Sequence, residues 1–264
     1  MKSKSKNNNR SFGRAEMTKL KQMQLFYNPN ISDSDSYRNS KEITFDKEES
    51  RHIVKVLRMK EGNTFKITNG KGSFFAAEII NANPKGCLVK ITSEKKQALL
   101  PYQLHLAVAP TKLNDRYEWF LEKATEIGIS EITPIICDHS ERKVIKPERY
   151  EKILQSAMKQ SLKAYLPVLN EAISFKEFIN SEKTSEDLKC IAHCEETDKK
   201  SLKSVLLPKK KVTILIGPEG DFSSEEIDIA KLAEFIPVTL GESRLRTETA
   251  AVVACHSIAF VNEI

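Results

Sequence analysis

The sequence of 264 residues lacks any run of about 18 apolar residues, the length that a membrane-spanning helix requires. It also lacks the short apolar segment near the N-terminus that is typical of secretory signals. These absences argue against a membrane or exported protein. Because hydrophobic residues make up 40% of the chain, a core can be buried, and we expect a globular protein in the cytoplasm.

Cysteine is scarce and irregularly placed. The five cysteines form no C-x-x-C pair, and their odd number argues against a disulfide framework or a zinc knuckle. Cys190 and Cys194 flank His193, which leaves a metal site as one interpretation of this segment. Four good ligands cannot be assembled there, so buried thiols at a strand end are favoured and no metal is expected.

The net charge of +6 is concentrated at the start of the chain. Residues 1–22 contain seven basic residues and one acidic residue, and the remainder of the chain is neutral. This segment is polar and unpatterned, so we interpret it as a disordered basic tail or as the product of an upstream start before Met23. Any RNA-binding surface must therefore come from local patches.

Short strand candidates separated by glycine and proline turns occupy residues 23–96 and predict a small β-barrel domain. A polar loop is expected over 32–40. Asp46 and Glu49 form a capping-box pattern that predicts the start of a helix with one apolar face. We interpret residues 93–101 as the linker that follows this domain.

Residues 97–264 show a different pattern, in which apolar strands alternate with helices. We predict strands at LHLAVAP, ITPIIC, CIAH, VTILIG and PVTLG, and helices over 114–128, 147–162, 223–233 and 247–260. This alternation implies an α/β fold in which helices cover both faces of a parallel sheet.

Two segments, 214–226 and 240–251, each lead from a strand into a glycine-bearing loop and then into a helix. Ligands bind at the carboxyl ends of strands in open α/β sheets, so both loops are candidates for a binding site. Gly217 and Gly220 would let the backbone approach a ligand closely. Neither segment has the spacing of a Walker loop or of a dinucleotide fingerprint.

Acidic residues follow the first of these loops. Ser223 and Glu226 predict a capping box, and Asp221 and Glu225 add negative charge near the same helix N-terminus. We interpret these acids as structural and not catalytic. Their charge also disfavours a phosphate-bearing cofactor, so an uncharged or positively charged ligand fits better.

Arg244 and Arg246 precede a helix that is apolar almost all round. Burying two guanidinium groups without purpose would be costly, which marks both as candidates for function. Pairing of Arg246 with Glu248, or capping of a strand, is a structural alternative. The apolar helix itself is expected to be buried in the core or in a subunit interface.

Four segments together, HIVKVLRMKEG, LEKATEIGISEITPI, GPEGDFSSEE and LGESRLRTETAA, resemble the RsmE family. These bacterial enzymes use S-adenosylmethionine to methylate N3 of a uridine in 16S rRNA of the small ribosomal subunit. The similarity runs from about Met23 to the C-terminus. It implies a SPOUT-class parallel sheet with a C-terminal trefoil knot, an N-terminal PUA-like RNA-binding barrel, and a homodimer. General topology argues against a knot, and composition would not suggest one.

The resemblance also implies which residues line the S-adenosylmethionine pocket. They come from the loop after CIAH and from the two glycine-bearing loops. The implied cofactor-binding residues are Ala192, His193, Cys194, Ile216, Gly217, Pro218, Glu219, Gly220, Leu240, Gly241, Ser243, Leu245, Arg246, Thr247 and Ala250.

Methylation at N3 requires a uracil nitrogen that has lost its proton and is aligned with the methyl group. We predict that Arg246 stabilises the negative uracilate and that Glu248 orients Arg246 or acts as the base. Support of the loop alone is the alternative for Glu248. Because N3 lies on the Watson–Crick edge, the target base must be unpaired or flipped out.

Seven basic side chains are the candidates for contacts with RNA. Arg142 and Lys143 follow a strand end near the expected active face, and Lys163 stands where the family's Gln-Ser-x-Arg stretch has arginine. Lysine keeps the positive charge at this position, but it cannot form the two parallel hydrogen bonds that an arginine guanidinium makes with a phosphate. A solvated basic helix face is the alternative for the remaining four, which cluster on and just beyond the capped helix: Arg51, His52, Lys55 and Arg58.

A second departure from the family is Asp221, which replaces the last glycine of the common GPEGG motif. Neither departure removes the pocket. Two rival functions stay open on chemistry alone: a non-catalytic ribosome-assembly factor, and a related knotted methyltransferase that acts on tRNA, including at a ribose hydroxyl. The set of motifs favours the base-methylating rRNA enzyme.

Overall fold

The computed structural model describes four ranges of the chain: 24–31, 42–181, 188–196 and 198–263. The predicted tail at 1–22 and the predicted loop at 32–40 lie outside the described residues. No helix within the described ranges is long and apolar enough to cross a membrane.

The chain divides into two compact units. The first contains the residues up to Ala98 together with Met158–Tyr165, and the second contains Leu99–Ala157 and Leu166–Ile264. The sequence pattern did not predict that Met158–Tyr165 belongs with the first unit.

The first unit is built on one five-stranded sheet. Its elements are β1 (Leu25–Tyr27), β2 (Glu42–Thr44), α1 (Lys47–Arg51), a π-helical turn (His52–Val56), β3 (Thr64–Thr68), β4 (Ser73–Asn81) and β5 (Leu88–Lys96). The strand order is β1-β3-β4-β5-β2, with β1 parallel to β3 and the other pairs antiparallel. The strands predicted at QLFYNP, TFKITN, SFFAAEII and CLVKIT are present as β1, β3, β4 and β5, and β2 is an addition.

Aromatic packing and a helix cap organise this unit. The ring centroids of Phe26 and Phe65 lie 4.6 Å apart in its core. The predicted helix start is confirmed, because the Glu49 N–H donates to Asp46 Oδ1 at 2.8 Å. The second half of the predicted capping box is absent, because the Glu49 carboxylate accepts from Lys159 Nζ at 3.0 Å and not from the Asp46 N–H.

The predicted linker at 93–101 is wrong at its start, because β5 continues to Lys96. Lys96 pairs in register with Ser73 at the beginning of β4. Ser73 Oγ also donates to Glu94 Oε1 at 2.7 Å. The end of this hairpin is polar and mostly exposed, so it lacks the apolar alternation by which a strand is recognised in a sequence.

The second unit alternates strands and helices. Its elements are β6 (Gln103–Val108), α2 (Asn114–Ile127), β7 (Glu131–Ile136), α3 (Pro147–Gln160), β8 (Val168–Leu169), β9 (Ile173–Ser174), α4 (Phe175–Ser181), β10 (Leu188–Ala192), β11 (Lys200–Ser201), α5 (Leu202–Val205), β12 (Lys211–Ile216), α6 (Ser224–Leu232), β13 (Ile236–Thr239) and α7 (Thr247–Asn262). Each strand and helix predicted here is present, and the structure adds five short elements: β8, β9, β11, α4 and α5.

The eight strands form one parallel sheet with the order β11-β13-β10-β12-β6-β7-β8, and β9 also pairs with β7. Leu106 of β6 packs in a cluster with Phe120 of α2 and Ala254 of α7. The next strand residue, Ala107, packs in a second cluster with Ile227 of α6. Because successive strand residues point to opposite faces, helices cover both faces of the sheet, as predicted.

The apolar C-terminal helix buries only one face in the core of this unit. Its buried positions recur every three or four residues and include Ala251, Cys255 and Ile258. Phe260, in contrast, is 64% exposed. The predicted burial in the core is confirmed for one face of this helix. The helix is not buried on all sides within this unit.

Candidate functional site

Three neighbouring strands of the parallel sheet end at one edge. β10 lies between β12 and β13, and the register pairs Ala192 with both Ile216 and Val238. The loops that follow these strands therefore leave the sheet side by side, where ligands bind in open α/β folds. We call them the strand-end loops, and they begin at His193, Gly217 and Leu240.

The strand-end loops line two adjoining cavities of about 300 and 330 Å³, a size suited to a small molecule. Five residues line both: Ala192, Cys194, Arg244, Leu245 and Ala250. The first cavity is also lined by His193, Lys199, Val238, Thr239, Leu240, Gly241, Glu242 and Ser243. The second is also lined by Ile216, Gly217, Pro218, Glu219, Asp221, Arg246 and Thr247.

The structure thus brings together the residues that the sequence assigns to cofactor binding, with Gly220 as the exception. Gly220 does not line either cavity and lies against His139, whose Cβ would be 3.0 Å from a Cβ added at Gly220. Six residues line the cavities without having been assigned to cofactor binding: Lys199, Asp221, Val238, Thr239, Glu242 and Arg244. No motif marks Lys199 in the sequence, because the pairing of β11 with β13 brings its segment to the site.

His193 is a buried side chain without hydrogen bonds at the wall of the first cavity. It is 6% exposed, and neither ring nitrogen has a partner among the described residues. Burial lowers the pKa of His193, and the positive charge of Lys199 lowers it further. A neutral imidazole with two unused nitrogens is uncommon in a protein interior, so the site suits a ligand with hydroxyl or amino groups.

The glycine at the start of the second loop is required by close packing. A Cβ added at Gly217 would lie 3.0 Å from the Phe222 ring and 3.2 Å from the Phe222 backbone nitrogen. The carbonyl of Gly217 accepts from Thr247 Oγ1 at 3.0 Å. This bond joins the loop after β12 to the start of α7.

Arg142, a predicted RNA contact, holds the backbone of the loop after β6. Its Nε donates to Thr111 O at 3.0 Å, and its Nη2 donates to Lys112 O at 2.8 Å. The N–H of Lys112 donates to Glu219 Oε1 at 2.9 Å, which connects this loop to the second cavity. Lys143, the adjacent predicted contact, is exposed.

The expected pairing of Arg246 with Glu248 is wrong. Arg246 is exposed and precedes the first residue of α7, whereas Glu248 is buried and its Oε1 lies 3.9 Å from Arg116 Nε. Arg246 is the N-cap residue and has an extended backbone, whereas Glu248 is on the first helical turn, so the two side chains do not share a helix face. Glu248 Oε2 has no hydrogen-bond partner among the described residues.

The acidic residues before α6 have the structural role that the sequence indicates. The capping box between Ser223 and Glu226 is present in full. Glu226 Oε1 also accepts from the Asp138 N–H at 3.0 Å, and Ser223 Oγ donates to Asp138 Oδ2 at 2.8 Å. These bonds fix the loop after β12 to the loop after β7.

The cysteines beside His193 differ in exposure. Cys190 is buried, and burial raises the pKa of its thiol to about 12, but Cys194 is exposed. The interpretation of both as buried thiols is therefore wrong for Cys194. In the described part of the chain, no group of three or more His, Cys, Asp or Glu side chains is arranged to hold a metal ion.

In the first unit, the predicted RNA contacts lie on α1, on the π-helical turn and just after it. Arg51, Lys55 and Arg58 are exposed, and His52 is half-buried. Lys163, in the segment that joins this unit from later in the chain, is also half-buried. The exposed positions place at least three positive charges within one short stretch.

Comparison with known proteins shows similarity over both units. Residues 98–259 match the family described as RNA methyltransferase domain, and residues 45–92 match the RNA methyltransferase PUA domain. A ribosomal RNA small subunit methyltransferase E from Buchnera aphidicola is 34% identical over 221 residues, which cover 80% of this chain and 85% of the relative.

Solved structures show the same similarity. A probable rRNA-methyltransferase from Porphyromonas gingivalis is 42% identical, with a TM-score of 0.83 over 90% of this chain and 98% of that one. A ribosomal RNA small subunit methyltransferase E from Neisseria gonorrhoeae, bound to S-adenosyl methionine, is 26% identical, with a TM-score of 0.80 over 91% and 98% of the two chains.

Proposed function

Given that this chain belongs to the RsmE family of RNA methyltransferases, we propose that it methylates N3 of a specific uridine in 16S rRNA. Its general activity is methylation of small-subunit rRNA with S-adenosylmethionine as the methyl donor. The observation that carries the proposal is the pair of adjoining cavities lined by the three strand-end loops.

The residues at these cavities fit the methyl donor. The first cavity combines apolar side chains such as Val238 and Leu240 with the unpartnered imidazole of His193, which suits a nucleoside with ring and hydroxyl groups. We assign cofactor binding to the residues that line the two cavities and that the sequence predicts as cofactor-binding residues. Gly220 supports the loop without lining them.

When bound, S-adenosylmethionine supplies an electrophilic methyl group on a positively charged sulfur. Arg246, exposed at the wall of the second cavity, stabilises the negative charge on the uracil oxygens once the N3 proton has passed to solvent water. Glu248 faces Arg116, so we assign it to the support of α7 and not to proton transfer. The strand-end loops orient the base relative to the methyl group.

The proposal extends to architecture and partners. Residues 23–96 form a PUA-like RNA-binding domain, residues 97–264 form a SPOUT catalytic domain with a trefoil knot, and residues 1–22 are a basic tail. The enzyme acts in the cytoplasm as a homodimer, without a metal, and the exposed Phe260 on α7 lies at the subunit interface. The RNA is held by Arg51, His52, Lys55, Arg58, Lys143 and Lys163, and Arg142 supports the loop after β6.

Methyl transfer is tested with labelled S-adenosylmethionine and small ribosomal subunits from a strain that lacks the activity. Mass spectrometry of the modified nucleotide is expected to give 3-methyluridine in 16S rRNA. Label on tRNA or on a ribose hydroxyl would identify a different methyltransferase. Absence of label together with RNA binding would identify an assembly factor.

The role of Arg246 is tested by Arg246→Ala. We expect turnover to fall by at least 100-fold, on the order of the loss seen when a transition-state charge partner is removed, with donor affinity nearly unchanged. Arg149→Ala, which removes an exposed arginine of α3, is the matched control. An equal loss of donor affinity and turnover would make Arg246 a cofactor-binding residue instead.

A further inference from the structure

Asp221 occupies a backbone conformation that glycine adopts most easily. Its φ is +64°, in the left-handed region that side chains other than those of asparagine and aspartate seldom enter. The Asp221 N–H donates to Pro218 O at 2.9 Å and closes the turn of the loop after β12. Glycine would form this turn without steric cost, so the backbone does not explain an aspartate here.

The Asp221 carboxylate joins two strand-end loops. Oδ2 accepts from the Cys194 N–H at 2.6 Å, and Oδ1 accepts from the Phe222 N–H at 2.9 Å. Cys194 belongs to the loop after β10, which is the neighbour of β12 in the sheet. The carboxylate therefore bridges the ends of two adjacent strands through charge-assisted hydrogen bonds.

Asp221 is also one of the residues that line the second cavity. Asp221 and Cys194 both line this cavity, together with Glu219 and the two arginines, Arg244 and Arg246. After two backbone hydrogen bonds, a carboxylate still has lone pairs that face its surroundings. The methyl donor carries a positive sulfur, whereas the sulfur of the product is neutral. A negative group at the wall attracts the donor more strongly than the product.

We propose that Asp221 is a positioning and specificity-determining residue of the cofactor site. It ties the loop after β10 to the loop after β12, and its charge favours the methyl donor over the product. This inference rests on the proposed cofactor site, and it adds a residue that the sequence assigned only to offsetting the dipole of α6. It also gives a role to the replacement of glycine at this position.

The hydrogen bond from the Cys194 N–H to the Asp221 carboxylate, which bridges the two loops, is tested without any ligand by amide hydrogen exchange. In Asp221→Gly, the Cys194 amide loses its acceptor and is expected to exchange at least tenfold faster, while thermal stability is kept because glycine suits the turn. Asp221→Asn retains an acceptor oxygen and is expected to keep most of the protection. Unchanged exchange in Asp221→Gly would overturn the bridge.

The effect of the Asp221 charge on ligand binding is tested by calorimetry with the donor, S-adenosylmethionine, and the product, S-adenosylhomocysteine. We expect Asp221→Gly to bind the donor about tenfold more weakly. We expect Asp221→Asn to lower the ratio of product Kd to donor Kd by about fivefold. Asp228→Asn removes an equal charge on the exposed side of α6 and should leave the ratio unchanged.

The outcomes separate this inference from the proposed function. A parent protein that does not bind the donor would overturn both. Donor binding by the parent with the same ratio in Asp221→Asn would overturn the charge role alone. Equal lowering of the ratio by Asp228→Asn would overturn it as well, since any negative charge on the protein would then suffice.

Discussion

The guanidinium of Arg116 lies beside the buried carboxylate of Glu248, with 3.9 Å between Nε and Oε1. Arg116 is on the first turn of α2, and Glu248 is on the first turn of α7. The two helices pack on the same face of the sheet, so this pair joins their N-terminal ends. Since α7 begins directly after Arg246, the contact fixes the helix that follows the strand-end loop after β13.

Loss of Arg116 is expected to leave the Glu248 carboxylate buried without a charged partner. Arg116→Ala should lower the free energy of unfolding by about 1–2 kcal/mol, less than for a fully buried pair because the arginine is partly exposed. Chemical denaturation of the variant and the parent measures this difference.

The matched controls are Arg116→Lys, which keeps the charge, and Glu248→Gln, which removes the buried charge. The lysine variant should recover part of the lost stability. In the double variant Arg116→Ala, Glu248→Gln, the loss should be smaller than in Arg116→Ala alone. A loss in the double variant equal to the sum of the losses in Arg116→Ala and Glu248→Gln would show that the two side chains do not interact.

This pair also shows what the sequence could predict. Arg246 and Glu248 stand together in one motif, and part of this motif, including Arg246 and Thr247, lines the second cavity. The partner of Glu248 comes from a helix distant in the sequence, and only the packing of α2 on α7 brings Arg116 to it. Local motifs identify the strand-end loops, whereas side-chain pairing between them depends on tertiary structure.

Crowding at Gly217 gives a second prediction. Gly217→Ala places a methyl group 3.0 Å from the ring of Phe222, which is itself 2% exposed. We expect a loss of about 1–3 kcal/mol in the free energy of unfolding, the usual cost of overpacking a core. Donor affinity should also fall, because the displaced loop lines the second cavity.

The control for this variant is Gly86→Ala in the first unit. Its added Cβ would meet only a methyl group of Thr44, at 3.3 Å. Thermal unfolding should show a smaller change than for Gly217→Ala, and donor affinity should stay at the parent value. A Gly217→Ala protein as stable as the parent would mean that Phe222 can move away without cost.

The lowered pKa of His193 predicts a dependence of stability on pH. Its pKa lies below the ordinary value of 6.5 because of burial and the charge of Lys199. Between the lowered pKa and 6.5, the unfolded state carries a proton that the folded state does not. The free energy of unfolding should therefore fall as the pH is lowered through this window, and level off below it.

His193→Asn should remove this component of the pH dependence. His105, whose pKa is also lowered by burial, is present in both proteins, so its contribution cancels in the difference. Denaturation of parent and variant at a series of pH values gives the comparison. Donor affinity of the parent should decline at the acidic end, since a protonated His193 would repel a positively charged ligand. Parallel pH curves for the two proteins would contradict the assignment.

The secondary structure of the second unit follows closely from sequence because apolar periodicity is strong there. Short edge elements such as β8 and β11 are only two residues long, which is too short to show a periodic pattern of apolar residues. In the first unit, the helix begins at Asp46 as its cap predicts, but the continuation into a π-helical turn has no local signal. Ile53 of this turn is buried in the core of the unit.

The exposed basic residues of the first unit predict a salt-dependent interaction with RNA. Replacing Arg51, Lys55 and Arg58 by glutamine should weaken binding to the rRNA substrate. For each phosphate that the variant no longer neutralises, the slope of log K against log salt should become shallower by about 0.7 to 0.9. Filter binding over a range of salt concentrations measures both quantities. Donor affinity should not change, because these residues lie outside the cavity linings.

A matched variant separates local phosphate binding from bulk charge. Replacing Lys85, Lys90 and Lys95 by glutamine removes the same number of positive charges from the same unit, on and beside β5. If Arg51, Lys55 and Arg58 touch phosphates, the first variant changes the slope and the second leaves it close to the parent value. Equal changes in both would mean that the basic stretch after Asp46 is a solvated helix face, and that RNA is attracted by net charge.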